Sequence, residues 1–376
     1  MKKIYMLSSA HPPFDKRIFL REARTLSEYN YNVTHICPHD IEEIRDNVKI
    51  LPIPKSRNRF IRMLRTWHIF YSALKAKADL YHFHDPELLP FALLLKWIKK
   101  KPVIYDVHEY NSFSILTKFW IPRFIRKPIS LFVDRMEKFA SRHLSGIITV
   151  NEHMRNLFLR YNENSVEVCN YPVLKDLKQD SLKDKNNKTI IYLGYISLNR
   201  GLEVMLETIP HVKEKNPDAE FLLVGPLILG SVSSKTRDKL KQYIEKKYTQ
   251  VTGEVPFQQA MEYLMESSIG WIPILPTLNY QRAKFIKIFE YALYGKPIVA
   301  SRIGFMADLI EEMECGILVD PFDAMDHARA INYLLEHPEE GQNMGEKGKH
   351  AVKVRYNWEK ESKKMLKLYD KLLGEI

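Results

Sequence analysis

Short apolar runs, each followed by a longer amphipathic stretch, recur along nearly all of this 376-residue chain. Ile4–Ser8, Asn32–Cys37, Leu80–His84, Val103–Val107 and Gly146–Val150 read as strands, with Lys16–Tyr29 as the first covering helix. The pattern restarts with Thr189–Gly194, Ala219–Gly225, Ser268–Ile274, Pro297–Ser301 and Gly316–Val319. Strands that alternate with helices, and are apolar on both faces, predict an α/β chain with parallel sheets covered on both sides. Between the two series, Asn170–Lys188 is crowded with Asn, Asp, Lys and Pro. That break predicts two domains joined by a linker.

Several classes are excluded early. Cys37, Cys169 and Cys315 are too few and too scattered for a disulfide framework or a structural zinc site. The first strand follows the N-terminus without a signal-peptide pattern, and the apolar run Leu88–Leu95 is too short to cross a bilayer core of about 30 Å. The expectation is a cytosolic protein. Charge is distributed unevenly. Residues 1–172 carry 28 Lys and Arg against 17 Asp and Glu, where the whole chain has 57 and 46, so the net +11 lies entirely in the first half. A basic half predicts an anionic partner: nucleic acid, a membrane surface or a phosphorylated ligand.

Ligands of open parallel sheets bind beyond the carboxyl ends of the strands, so the polar residues there are the informative ones. The first strand runs into Ser8-Ser9-Ala10-His11-Pro12-Pro13-Phe14-Asp15, where Asp15 is placed to cap a helix whose free N–H groups suit an anion. The next two ends carry His82-Phe83-His84-Asp85-Pro86-Glu87 and Asp106-Val107-His108-Glu109. Such clusters suit a metal, acid–base work or the hydroxyls of a sugar. Successive strand residues point to opposite faces, which argues against a metal, and the chain has no Asp-x-Asp. In the second half, Lys287 and Glu290 share a helical face before Gly295 stops the helix. They read either as a surface ion pair or as a cation for phosphate beside a carboxylate for a ribose diol.

His11-Pro-Pro-Phe-Asp15-Lys-Arg17-Ile, His82-Phe-His84-Asp85-Pro-Glu87, Tyr105-Asp106-Val-His108-Glu109 and Lys287-Ile-Phe-Glu290-Tyr, in this order, resemble the family-4 glycosyltransferases of the GT-B fold. The bacterial enzymes of capsule, exopolysaccharide and O-antigen assembly are the most similar group. The resemblance implies two Rossmann-like domains facing across a cleft: residues 1–170 for the acceptor, 171–355 for the nucleotide sugar, and a helix in 356–376 that returns to the first domain. It implies transfer of a sugar from a nucleotide diphosphate, a UDP-sugar first and a GDP-sugar second, with retention of configuration and no metal or other cofactor. The acceptor is lipid-linked, on a polyprenyl diphosphate, or a saccharide.

The same resemblance assigns roles. His108 falls at the catalytic centre, with Glu109, His11 and Asp15 around it, and His84, Asp85, Glu87 and Arg17 face the acceptor. Glu290 matches the glutamate that holds the ribose, as an acceptor-only carboxylate opposite two hydroxyl donors. Arg200 and Lys287 fall on the donor diphosphate, Gly194 lets the backbone approach it, and Gly253 and Val255 belong to the base-binding loop. Two positions depart from the family. Arg282 stands where a sugar-binding glutamate is expected, so the sugar pocket differs, or Asn279 or Tyr280 takes over. Tyr195 replaces a basic residue after Gly194, leaving one diphosphate cation missing or supplied from elsewhere.

The basic half has its own pattern. Lys55, Arg57, Arg59, Arg62, Arg65, Lys75 and Lys77 are interleaved with Phe60, Ile61, Met63, Leu64, Trp67 and Phe70. Lys118, Arg123, Arg126 and Lys127 surround Phe119, Trp120, Ile121, Phe124 and Ile125. Cations beside exposed aromatics predict a peripheral helix at an anionic membrane, here the inner face of the cell membrane. The plain alternative is a solvated face above core positions. A nucleic-acid partner lacks any accompanying helix-turn-helix, zinc or RNA-binding signature. A GT-B-like nucleotide-sugar isomerase and an inactive nucleotide-binding scaffold are the remaining alternatives.

Overall fold

The computed structural model describes residues 1–55, 59–118, 121–176, 187–230, 232–277, 280–282 and 285–374, with backbone alone at 59–63, 117, 176 and 282. The chain forms two units. The first comprises Met1–Asn170 together with Trp358–Ile376, and the second Tyr171–Asn357.

The first unit is built on β1 (Lys3–Leu7), β2 (Asn32–Pro38), β3 (Glu43–Arg45), β4 (Val48–Ile53), β5 (Leu80–Phe83), β6 (Val103–Val107), β7 (Gly146–Thr149) and β8 (Ser165–Glu167). Their order in the sheet is β3-β4-β2-β1-β5-β6-β7-β8, and only the β3–β4 pairing is antiparallel. The central strands β5, β6 and β7 are buried along their whole length, which is why they read as continuous apolar runs. One face packs Tyr81, Tyr105, Ile147 and Leu89 with the helices that follow the strands. The last helix, Trp358–Leu373, belongs to this unit. Trp358 Nε1 donates to Thr25 Oγ1 at 2.7 Å, and Glu361 accepts from the Cys169 N–H at 2.8 Å.

The second unit has six parallel strands: β9 (Thr189–Leu193), β10 (Glu220–Val224), β11 (Thr249–Val251), β12 (Ile269–Ile272), β13 (Ile298–Ser301) and β14 (Gly316–Val319). Their order is β11-β10-β9-β12-β13-β14. In both units the first strand lies at the centre and the order reverses beside it. The polar strand ends therefore gather at the switch point of each sheet.

Three differences from the sequence reading have physical causes. The sequence does not show β4 because Pro52 interrupts it; β3 pairs along Val48–Ile50, so among the described residues the β4 edge beyond is unpaired and tolerates a residue without an N–H. β3, β8 and β11 have three residues each, too short for a periodic signal. The first helix, expected as one α-helix over Lys16–Tyr29, begins at Ile18, winds as a π-helix to Ala23 and becomes α only over Arg24–Glu28. Its wide turn is seen in Leu20 N bonding Asp15 O and Glu22 N bonding Arg17 O.

A buried carboxyl sits in the first unit's core. Glu137 accepts from Tyr105 Oη at 2.9 Å and Asn111 Nδ2 at 2.8 Å. Burial outweighs these bonds and pushes it up from the ordinary 4.5 to about 7. A carboxyl raised in the folded state stabilises fully below the unfolded value, and that contribution is lost as pH rises through the folded one. The stability of the parent relative to Glu137→Gln is therefore expected to fall by about 3 kcal/mol between roughly pH 4.5 and 7. Urea unfolding of both proteins at pH 5 and pH 8 checks this; a pH-independent difference would assign the effect elsewhere.

Candidate functional site

The first cluster follows from register. His82 and Phe83 stand opposite Ile104 and Tyr105, so the next pair brings His84 beside Asp106. Side chains two apart on a strand share a face, and His82, His84 and Asp106 all project to one side of the sheet. Residues five apart in an α-helix diverge by about 140°, but the π-wound turn aims both Arg17 and Glu22 at that same face. Arg17 Nε and Nη2 donate to the two Asp106 oxygens at 2.7 and 2.8 Å, and Nη1 donates to Val168 O at 2.9 Å and Asn170 Oδ1 at 2.6 Å. Its Nε is also 3.0 Å from Glu22 Oε1. Burial alone would raise Asp106, but Arg17, His108 and His84 outweigh it and hold the carboxyl well below its usual range. Glu22 goes the other way, driven up by burial and by its neighbour Asp106. His84 is lowered to about 4, chiefly by burial.

Above this cluster lies a more accessible layer. His108 Nε2 is 2.8 Å from Asp106 Oδ2, and its ring packs 5.0 Å from that of His11. His11 Nδ1 lies 3.3 Å from Asp85 Oδ1, and Asp85 also accepts from Ser8 Oγ and the Ser9 N–H. Burial lowers the His11 imidazole, but the bond and charge of Asp85 outweigh it and raise it overall. Asp15 caps the turn, accepting from the N–H groups of Arg17 and Ile18 at 2.8 and 3.0 Å. Glu87 accepts from Ser9 Oγ.

The structure thus gathers His11, Asp15, Arg17, His84, Asp85, Glu87 and His108, with corrections to the roles expected. Arg17, His84 and Asp85, read as facing an acceptor, are buried: the π-turn directs Arg17 inward, strand alternation directs His84 inward, and Asp85 is closed over by Ser8, Ser9 and His11. Glu109 stands apart on the exposed side, accepting from Ser114 Oγ at 2.8 Å.

The second cluster lies at the ends of β9, β10 and β11. Gly194 follows β9 with φ 120°, and a Cβ there would fall 2.8 Å from Lys287 Nζ. Gly225 follows β10 with φ 140°, where a Cβ would collide with Gly194 O at 2.2 Å. Only glycine fits either place. Gly253 bridges to Gly225, and Val255 is half-buried two residues further on. Lys287 Nζ reaches Tyr192 Oη at 3.2 Å and lies over its ring. Burial first, then Arg200, pulls its ammonium well below the usual lysine range, opposed by Glu290. Arg200 stacks over Tyr280 at 4.6 Å and Phe285 at 5.8 Å. Glu290 is buried on the helix Ile286–Leu293, three residues after Lys287. Tyr195, which follows Gly194, is exposed, and the cation beside Gly194 is Lys287. The Arg282 backbone lies in the turn Tyr280–Arg282, its side chain and all of Asn279 falling outside the described residues.

Sequence reasoning missed Asp106 as the centre of the first cluster, Glu22 beside it, and Gly225. Asp106 and Gly225 were legible as polar and glycine residues ending strands. Glu22 was not, since its placement needs the π-turn.

The residue model of glycosyltransferase family 4 matches 17–171, and that of the group 1 glycosyl transferases matches 174–351. Trehalose synthase of Pyrococcus horikoshii is 26% identical over 77% of this chain and 68% of its own. D-rhamnosyltransferase WbpZ of Pseudomonas aeruginosa is 22% identical over 73% and 69%. Among solved structures, sucrose-phosphate synthase of Thermosynechococcus elongatus aligns with a TM-score of 0.75 at 17% identity, covering 100% of both chains. HepE of Anabaena, solved with UDP, aligns at 0.70 and 15%, covering 99% and 100%. Fold and matches define a GT-B glycosyltransferase. Within that class the chain belongs to the glycosyltransferase family that the two models describe.

Asp106→Asn removes the counter-ion of a buried guanidinium. Loss of one partner from such a pair costs about 3 kcal/mol or more, an outcome that denaturant unfolding at neutral pH will measure. A loss below about 1 kcal/mol would mean that Glu22 alone suffices for Arg17.

Proposed function

We propose that this glycosyltransferase moves a sugar from a nucleotide diphosphate, a UDP-sugar first and a GDP-sugar second, onto a lipid-linked or saccharide acceptor in bacterial surface polysaccharide assembly. The arrangement of Gly194, Lys287, Arg200 and Glu290 carries this reading. The glycine turns let a diphosphate approach the backbone, Lys287 and Arg200 supply two positive charges, and Glu290 offers an acceptor-only carboxylate for ribose hydroxyls. A diphosphate beside Lys287 would restore the ammonium that burial disfavours. The two cations would also offset the charge that builds on the departing nucleotide diphosphate, so that no metal is needed on it. The UDP in the Anabaena neighbour supports uracil as the first base to test. In the first unit, His108 is the group assigned to the reacting sugar, oriented by Asp106, with His11 beside it and Glu87 on the acceptor side. Retention of configuration rests on the family.

The membrane partner rests on the exposed aromatics of the first unit. Leu64, Trp67 and Tyr71 on the helix Arg59–Lys75 and Trp97 and Ile98 on Leu89–Lys99 are exposed, as are Phe124 and Phe132 on Arg123–His143. Exposed Lys55, Lys75, Lys77, Arg123 and Lys127 accompany them. Arg65 leaves this set, being buried against Ser9 O, and Ile121 is a core residue. The side chains of Arg57, Arg59, Phe60, Ile61, Arg62, Met63, Phe119 and Trp120 lie outside those described. No described helix is long and apolar enough to cross a membrane. Apolar insertion with electrostatic attraction to anionic headgroups fits this composition.

Calorimetric titration with UDP, GDP and ADP, without added metal, tests the donor site. Binding of UDP is expected, weakened at least about tenfold in Glu290→Ala and in Lys287→Met. Binding unaffected by both variants would remove the site. Flotation with vesicles tests the membrane reading. Recovery with phosphatidylglycerol vesicles that falls as salt rises, and is lost in Trp67→Ser/Phe124→Ser, is expected; equal behaviour on neutral phosphatidylcholine would overturn it.

A further inference from the structure

The cluster beneath His108 holds more donor atoms than its hydrogen bonds use. Glu22, His82, His84 and Asp106 each present one oxygen or nitrogen, and these atoms lie within 4.8 Å of one another. All four residues are buried. Among the described residues, neither Glu22 oxygen, neither His84 nitrogen and not His82 Nε2 has a hydrogen-bond partner. Their nearest polar contacts are ionic: Arg17 Nε with Glu22 Oε1 at 3.0 Å and His84 Nδ1 with Asp106 Oδ2 at 3.4 Å. Unpartnered polar atoms of this kind are rare in protein interiors, and several converging on one point call for an occupant.

We propose that these four side chains bind one divalent transition-metal ion of the zinc class. Two imidazoles and two carboxylates form a donor set that such ions favour over magnesium or calcium. The sequence argument against a metal applied to adjacent residues; His82 and His84 are two apart and Asp106 is level with His84, so strand geometry converges them. His82 is already oriented as a ligand is, because its Nδ1 lies 2.7 Å from the Tyr369 hydroxyl while Nε2 points inward. Charge agrees. Glu22 and Asp106 are two buried carboxylates that share the one guanidinium of Arg17. Asp106 has lone pairs enough for Arg17, His108 and an ion. Four protein ligands complete a tetrahedron and leave no open position for a phosphate oxygen. The ion therefore serves the first unit's frame, fixing Asp106 beneath His108, and stands apart from the donor site.

Elemental analysis of protein produced in zinc-supplemented medium and then desalted is expected to give about one zinc per chain. Chelator-stripped protein should take up about one cobalt(II) with the visible d–d absorption of a tetrahedral site. His82→Gln/His84→Gln should lose both, while His143→Gln, an exposed control, keeps them. Equal metal in the parent and the double variant would mean an adventitious ion only and would overturn the proposal. So would a parent that neither retains zinc nor takes up cobalt, leaving water or a proton in the cluster. Should the double variant fail to fold, the parent's cobalt titration decides: a sharp endpoint near one equivalent supports the site, and its absence overturns it.

Discussion

One guanidinium organises the first unit. Arg17 reaches Asp106 on β6, Glu22 on its own turn, and Val168 O and Asn170 Oδ1 at the last residues before the chain leaves for the second unit. A buried cation needs its charge and all its donors met, and the planar fork of arginine meets acceptors from separate segments at once. A lysine would supply the charge without the span. The wide turn that follows Asp15 is the backbone's contribution to the same arrangement, since an α-helical turn would point either Arg17 or Glu22 away from Asp106. His108 is held in its place by a carboxylate that Arg17 itself holds.

The two units treat charge in opposite ways. In the first, arginine and carboxylates close on one another, and an outer layer of His11, Asp15, His108 and Glu87 meets solvent. In the second, Lys287 and Arg200 lie near each other with Glu290 as the one carboxylate that opposes their effect on Lys287, and glycines rather than side chains line the adjacent turns. A closed, buried cluster makes a rigid floor. A pair of cations beside bare backbone makes a place that an anion improves.

Much of the fold was legible because central parallel strands such as Leu80–Phe83 and Val103–Val107 must be apolar on both faces, and a turn-rich break must separate two such sets. What was not legible followed from geometry that sequence spacing does not encode. Three-residue strands carry no period, Pro52 disguised β4, and the π-turn moved Glu22 into a cluster that an α-helical reading would exclude. Histidines and carboxylates at the strand ends were visible as chemistry, but whether each faced inward or outward depended on register. Thus His84 went to the interior and Glu109 to the outside.

The first unit is discontinuous. Tyr369 against His82, Glu361 against the Cys169 N–H, Trp358 against Thr25 and Leu368 over Gly146 all come from the final helix. During synthesis the ribosome delivers the first unit's sheet early, yet the side chains that finish it emerge only after the whole second unit has been made. The second unit can thus assemble while the first is still missing a wall. The order of completion is the reverse of the order of translation, and the apolar surface awaiting that helix is what a nascent-chain chaperone would meet.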